Sequence, residues 1–186
     1  MSRFTVITLP LPGLKLVERQ HLRDERGFLS RLFCANELAA AGWHQPIAQI
    51  NHTLTALAGM VRGLHYQKPP HAEMKLVSCI RGEAWDVAVD LRTNSPTFLQ
   101  WHAQHLSSSN GLALLIPEGF AHGFQALTDN VELLYCHSAP FSPHSEAALD
   151  AQDERLAITW PLPILNRSQR DQSLEWLAPD FKGVAP

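Results

Sequence analysis

The chain has 186 residues and a net charge of −3, with 15 lysines and arginines against 18 aspartates and glutamates. That length predicts one domain with a sizeable core, and the scattered cations supply no basic field for nucleic acid, so any phosphate must be met by a local pocket. No stretch approaches the roughly 18 apolar residues of a membrane span, and Met1-Ser2-Arg3-Phe4-Thr5 lacks the apolar run of a signal peptide, which makes the cytoplasm the expected location.

Residues 4–9 read as an opening strand that Pro10 and Pro12 break. Arg23-Asp24-Glu25-Arg26-Gly27 is a charged turn into a second strand over 28–33. A short helix follows, with Asn36 as its cap and Gly42 where a left-handed C-terminal residue is wanted. From Ile47 onward the chain breaks into short β-like runs over 48–55, 74–80, 84–91, 98–106, 112–116 and 131–136. Gly, Pro, Asn and Ser punctuate them, which predicts a mainly β sandwich or barrel with a few short helices. In the run over 84–91, Trp85, Val87, Val89 and Leu91 share one face, which reads as core, while Ala84, Asp86, Ala88 and Asp90 make a small, acidic one. Arg81-Gly82-Glu83 reads as a hairpin link, Thr93-Asn94-Ser95-Pro96 as a turn, and 140–186 as an irregular segment draped over the sheets. Cys34, Cys79 and Cys136 are odd in number and in no metal-ligand spacing, as expected of reduced thiols near the core.

Chemistry concentrates in Arg62-Gly63-Leu64-His65-Tyr66-Gln67. On its own, a histidine three positions after an arginine is ordinary surface chemistry, so its surroundings must decide. Gly111, five residues, Pro117, one residue, Gly119, two residues and His122 match the second half of the signature of the cupin jelly-roll barrel, except that Ala126 replaces its terminal Asn. The first half matches in part: Gly59 is followed after five residues by His65, Tyr66 and Gln67 where a His-x-His pair normally stands, with Glu73 as a displaced acidic candidate. Gln67 coordinates weakly, leaving His65 and His122 as the only histidines in register, which disfavours a metal site. A metal-free barrel would use His65 as a base near neutral pH, together with an electrophile for an enolate oxygen and an acid on the opposite face. Lys75 and Tyr135 have suitable chemistry, although spacing alone does not select them. Read from the residues, Tyr135 is an inward aromatic, Asp171 an exposed carboxylate, and His71, His102, His105, His137 and His144 are surface or packing residues.

Val61-Arg62-Gly63-Leu64-His65-Tyr66-Gln67, Lys75-Leu76-Val77, the run from Gly82 to Arg92, Ser95-Pro96-Thr97-Phe98, Ile116-Pro117-Glu118-Gly119-Phe120-Ala121-His122-Gly123-Phe124 and Leu134-Tyr135 together resemble the dTDP-4-dehydrorhamnose 3,5-epimerases. The likeness covers nearly the whole chain. It implies a cofactor-free, metal-free enzyme that inverts C3, C5 or both in a nucleotide-linked 4-keto-6-deoxyhexose. By position His65 is similar to the base, Tyr135 to the acid, Lys75 to the group that meets the enolate oxygen and Asp171 to the carboxylate that orients the histidine. Arg62, His122, Gln49, Asn51 and Arg170 resemble substrate contacts. Arg26 resembles an arginine lent by a neighbouring subunit, and the family implies a homodimer that exchanges N-terminal strands over about residues 1–35.

The chain departs from the family pattern at three substrate contacts. Phe141 stands where a tyrosine often meets the sugar, Leu29 where an aromatic often meets the base, and Arg31 where a glutamate often sits. These departures leave open the nucleotide and the number of carbons inverted. The alternatives are a single-site C3 or C5 epimerase, a metal-dependent cupin oxygenase and a non-catalytic sugar-nucleotide module.

Overall fold

The computed structural model describes residues 2–185. Thirteen strands and two short helices follow in the order β1 (Phe4–Thr8), β2 (Lys15–Arg19), β3 (His21–Asp24), β4 (Gly27–Ser30), α1 (Ala35–Ala39), β5 (Gln49–Thr55), β6 (Val61–Gln67), β7 (Lys75–Arg81), β8 (Glu83–Asp90), β9 (Trp101–Ser107), β10 (Leu112–Ile116), β11 (Phe120–Ala126), β12 (Val131–His137), β13 (Glu146–Ala148) and α2 (Gln169–Gln172). All strand pairs in the sheets are antiparallel. Six strands form one sheet in the order β1-β2-β10-β7-β12-β5, five form a second in the order β13-β6-β11-β8-β9, and β3 and β4 stand apart as a hairpin. Among the described residues no helix is long and apolar enough to cross a membrane.

Period-two alternation decides what each strand face buries. On β7 and β12, Val77, Cys79, Val131, Leu133 and Tyr135 point between the sheets and join Leu114, Phe120 and Phe124 in the barrel core. The outer face of the same sheet, with Leu76, Cys136 and Leu115, is covered by Leu38 and Trp43 from the helical segment. The outer face of the five-stranded sheet, with Leu64, Val87, Val89 and Ala121, is covered by Leu149, Leu156 and Trp160 of the C-terminal segment. Burying each fully enclosed leucine or valine contributes on the order of 2 kcal/mol.

The Val87, Val89 and Leu91 face of β8 is core as expected, and the small acidic face is buried too, turned to the inside of the barrel with Asp86 and Asp90 fully enclosed. Several other expectations need correction. Arg81-Gly82-Glu83 is not a hairpin link, because β7 and β8 lie in different sheets. It is the step between the sheets, and Gly82 (φ +71°) is required there because a Cβ would lie 2.6 Å from Thr128 Oγ1. The helix starts at Ala35 with Cys34 at its cap position, so Asn36 lies inside it; Gly42 is left-handed (φ +104°) as expected. The strand expected over 98–106 begins only at Trp101, since Leu99 takes φ +60° in the preceding turn. The strand expected over 28–33 ends at Ser30, and the 140–186 segment carries β13 and α2.

Candidate active site

A cavity of about 510 Å³ opens between the two sheets, at the end where β12 finishes and β7 begins. Cross-strand register grades its wall in rungs. Thr53, Leu133 and Cys79 are neighbours across β5, β12 and β7, followed by Asn51, Tyr135 and Val77, then by Gln49, His137 and Lys75. Each rung is about 7 Å nearer the mouth than the last. The apolar barrel floor therefore gives way to polar side chains without a change of fold.

The facing wall is β6 and β11, on which His65 and His122 are cross-strand neighbours. A Cβ on Gly63 would lie 2.5 Å from Gly123 Cα and 2.7 Å from the His122 carbonyl oxygen, so only glycine lets the two strands approach this closely beside the histidines. His65 Nε2 and Asp171 Oδ1 are 2.8 Å apart, with Asp171 buried and the His65 side chain 36% exposed. Asp171 arrives from α2, where Ser168 Oγ accepts its backbone N–H. Burial pushes the Asp171 carboxyl up, but hydrogen bonds from His65 and Ser168 and the His65 charge outweigh it, so the group stays below its usual range. An ionised carboxylate only accepts, so Nε2 carries the shared proton and Nδ1 is the nitrogen left to act as a base.

Tyr135 rises from the opposite wall. Burial pushes its phenol well above the ordinary tyrosine range, which keeps the O–H intact at neutral pH. Lys75 Nζ spans the cavity to donate to the His65 carbonyl oxygen at 3.2 Å and pairs with Glu73 Oε1 at 3.2 Å. Gln49, Asn51, Arg62, His122 and Phe141 also line the cavity. Arg62 is tied to Thr55 Oγ1 and to the Leu54 carbonyl, each at 3.0 Å.

Four predicted contacts do not line the cavity. Arg26 sits in the exposed turn between β3 and β4, paired with Asp24. Leu29 is 71% exposed on β4. Arg31 pairs with Glu37, and Arg170 pairs with Glu146 at 2.9 Å. Conversely, sequence reasoning missed Asp86, whose carboxylate lies 2.9 Å from His122 Nε2 in a fully buried second pair. It also missed Arg167, which lines the cavity and pairs with Asp150. His137, expected on the surface or in packing, lines the cavity with Nδ1 2.7 Å from Glu73 Oε2.

The residues in register with cupin metal ligands are otherwise engaged. The Gln67 amide donates to the carbonyls of His71 and Pro140 and its oxygen accepts from the Ser142 N–H. His65 and His122 each face an aspartate. Among the described residues no group of three or more His, Cys, Asp or Glu is placed to hold a metal ion.

An imidazole on one sheet held by a carboxylate from α2, a phenol on the facing sheet and an ammonium between the two bring acid–base groups together inside a jelly-roll cavity. The family of dTDP-4-dehydrorhamnose 3,5-epimerases matches residues 8–179. A dTDP-4-dehydrorhamnose 3,5-epimerase from Shigella flexneri is 40% identical over 87% of this chain and 90% of its own. The dTDP-6-deoxy-D-glucose-3,5-epimerase of Legionella pneumophila, solved with dTDP-4-keto-L-rhamnose, superposes with a TM-score of 0.88 at 36% identity, covering 93% of this chain and 92% of that one. A double mutant of ChmJ, a 3′-monoepimerase from Streptomyces bikiniensis solved with dTDP, superposes at 0.84 with 29% identity over 91% of this chain and 85% of that one. The chain belongs to the dTDP-4-dehydrorhamnose 3,5-epimerase family, and it is an isomerase that acts on nucleotide-linked 4-keto-6-deoxy sugars.

Proposed function

We propose that this epimerase takes a dTDP-linked 4-keto-6-deoxyhexose and inverts C3 and C5, without a cofactor, by removing a proton beside the C4 ketone and returning one to the other face. The observation that carries the reading is the split of the acid–base groups between facing sheets. His65 stands on the five-stranded sheet and Tyr135 on the six-stranded one, so a sugar lying between them meets a base on one side and an acid on the other. His65 Nδ1 takes the proton, the electron pair moves through the C3–C4 or C4–C5 bond onto O4, and Lys75 Nζ donates to that developing oxyanion. Tyr135 then gives its O–H proton to carbon as the ketone reforms. Proton exchange with solvent restores both groups. Asp171 fixes the tautomer of His65 and stabilises the imidazolium that forms. Arg62 takes the diphosphate, with Gln49, Asn51, His122, Phe141 and Arg170 around the rest of the substrate.

The nucleotide end is completed by a second copy. In this reading the 186 residues form one cupin-like domain, and the N-terminal strands over about residues 1–35 exchange in a homodimer. That exchange brings Arg26, Leu29 and Arg31 of one protomer against the pocket of its partner. The exposed Leu22, Phe28, Leu29 and Leu32 on and beside the β3–β4 hairpin, and Ile50 and Leu54 on the edge strand β5, give such an interface its apolar surface.

One observation favours a single inversion as the second reading. Phe141 brings a bare ring to the cavity edge, and the likeness to a monoepimerase shows that this fold accommodates one-site chemistry. Incubation with the dTDP-linked 4-keto-6-deoxyglucose in deuterated water tests both. Deuterium at C3 and C5 with inversion at each is expected; exchange at one carbon alone selects the monoepimerase, and no exchange at either, with His65→Ala indistinguishable from wild type, overturns the proposal. Sedimentation of the pure protein as a monomer at micromolar concentration would reject the strand exchange.

A further inference from the structure

Glu73 and His137 have no part in the proton transfers above, yet both are at least nine-tenths buried at their side chains and both line the cavity. Their contacts form a chain that ends on Lys75. His137 Nδ1 meets Glu73 Oε2 at 2.7 Å, Glu73 Oε1 meets Lys75 Nζ at 3.2 Å, and Lys75 Nζ continues to the carbonyl oxygen of His65 at 3.2 Å. His137 and Lys75 are also cross-strand neighbours on β12 and β7, so the backbone holds the two ends of this chain in register.

We propose that Glu73, clamped by His137, is a positioning residue for Lys75. Lysine carries its charge on a flexible four-carbon stem, which must be held if it is to stabilise charge in a transition state without reorganising. An ammonium has three donors in tetrahedral array. Here the Glu73 carboxylate pairs with the ammonium at 3.2 Å and the His65 carbonyl takes one of its donors from the opposite wall, which together restrict where the head can turn. Burial pushes the Glu73 carboxyl up, but the His137 hydrogen bond and the Lys75 charge outweigh it, and the group is held below its usual range. Being ionised, Glu73 accepts from both sides, and His137 must donate through Nδ1. The other nitrogen of His137 is buried without a hydrogen-bond partner among the described residues, and the ring lies stacked against Tyr135 with centroids 6.1 Å apart. Nδ1 is thus the polar handle of this ring, and it is spent on Glu73.

The inference rests on the reading of Lys75 as donor to the enolate oxygen, and its test separates the two. Lys75→Met, Glu73→Ala, Glu73→Gln, His137→Leu and His137→Asn are compared for kcat, KM, deuterium exchange at C3 and C5, and Tm. Glu73→Ala and His137→Leu are expected to lower kcat by about 10- to 100-fold with KM moving less than about threefold, the mark of an interaction used in the transition state. His137→Asn, whose amide nitrogen takes the place of Nδ1, is expected to recover about tenfold over His137→Leu, and in a Lys75→Met background the Glu73 and His137 changes should cost nothing further. If Glu73→Ala does not fold, Glu73→Gln, which keeps the shape and loses the charge, carries the same comparison with an expected loss of about tenfold. A Lys75→Met enzyme that is dead beside Glu73 and His137 variants that lose only Tm overturns the positioning role and leaves Lys75 standing. A Lys75→Met enzyme with wild-type kcat overturns both.

Discussion

Two histidines on neighbouring strands of the cavity wall each pair with an aspartate, and the two pairs are not equivalent. His65 and Asp171 meet with the imidazole about one-third exposed, whereas His122 and Asp86 are buried at both side chains. The first aspartate comes from the C-terminal segment, the second from the inner face of β8 in the barrel. The same two residue types thus serve two ends. A pair open to solvent and ligand can exchange a proton at its free nitrogen, while a sealed pair spends its hydrogen bond on holding the wall together, with His122 edge-on to Tyr135 at 5.7 Å between centroids.

Separate loss of the two pairs is the sharpest way to break that comparison. His65→Asn or Asp171→Asn is expected to lower kcat by about 10³- to 10⁴-fold with a smaller loss of Tm than changes at Asp86, read by product formation and thermal melting. Tyr135→Phe should uncouple exchange from inversion. Deuterium still enters at the proton-abstraction face while inverted product falls by about 10²-fold or more, measured by NMR of the recovered sugar. Asp86→Asn or Asp86→Ala should act on the fold, because it leaves the buried His122 without its carboxylate. The expected cost is about 2–3 kcal/mol in denaturant melts, with a smaller loss of kcat than at Asp171.

Acid should also report on Asp171. The Asp171 carboxyl is depressed, so its contribution is fully present above the ordinary carboxylate range and is lost as pH falls through its lower folded value. Stability measured from about pH 5 downward should therefore decline less steeply in Asp171→Asn than in wild type. The smallest effect is remote from the site. Ser2, the Arg3 backbone and, less strongly, Arg31 hold Glu37 at a pKa of about 2, and a carbon-detected titration should find it there, rising more in Ser2→Ala than in Arg31→Ala.

The order in which these features became legible follows from how each is encoded. Strands such as β8, β10 and β12 announce themselves because apolar and β-branched residues dominate them. β6 and β11 do not, since Arg62, Gly63 and Gly123 interrupt the pattern for the sake of close strand approach. His65, Lys75, Tyr135 and Asp171 were found by resemblance, and the fold brings all four to one cavity. Asp86 left a trace in the sequence, the small acidic face of its strand, but nothing in alternating alanine and aspartate says that this face pairs a carboxylate with His122 inside the barrel. Glu73 left only the trace of a displaced acidic candidate in the cupin spacing and His137 reads as a surface or packing residue, because their contact spans 64 positions and is brought about by the pairing of β7 with β12. Arg26 and Leu29 belong to a hairpin outside both main sheets and Arg31 follows it, and none of the three lines the cavity of its own chain.

Asp171 is carried by a strap rather than by the barrel. The strap is fastened by the Val61 N–H to the Asn166 carbonyl at 3.0 Å, the Leu165 N–H to the Gly59 carbonyl at 2.9 Å and the Leu162 N–H to Gln125 Oε1 at 2.9 Å, and it shields the outer face of the five-stranded sheet. Segments of this kind open in partial unfolding events at lower free energy than the sheets they cover. An opening of this kind would part Asp171 from His65 with the barrel still folded, so on heating, activity is expected to fall at a lower temperature than the β-sheet signal in circular dichroism; coincident losses would reject this.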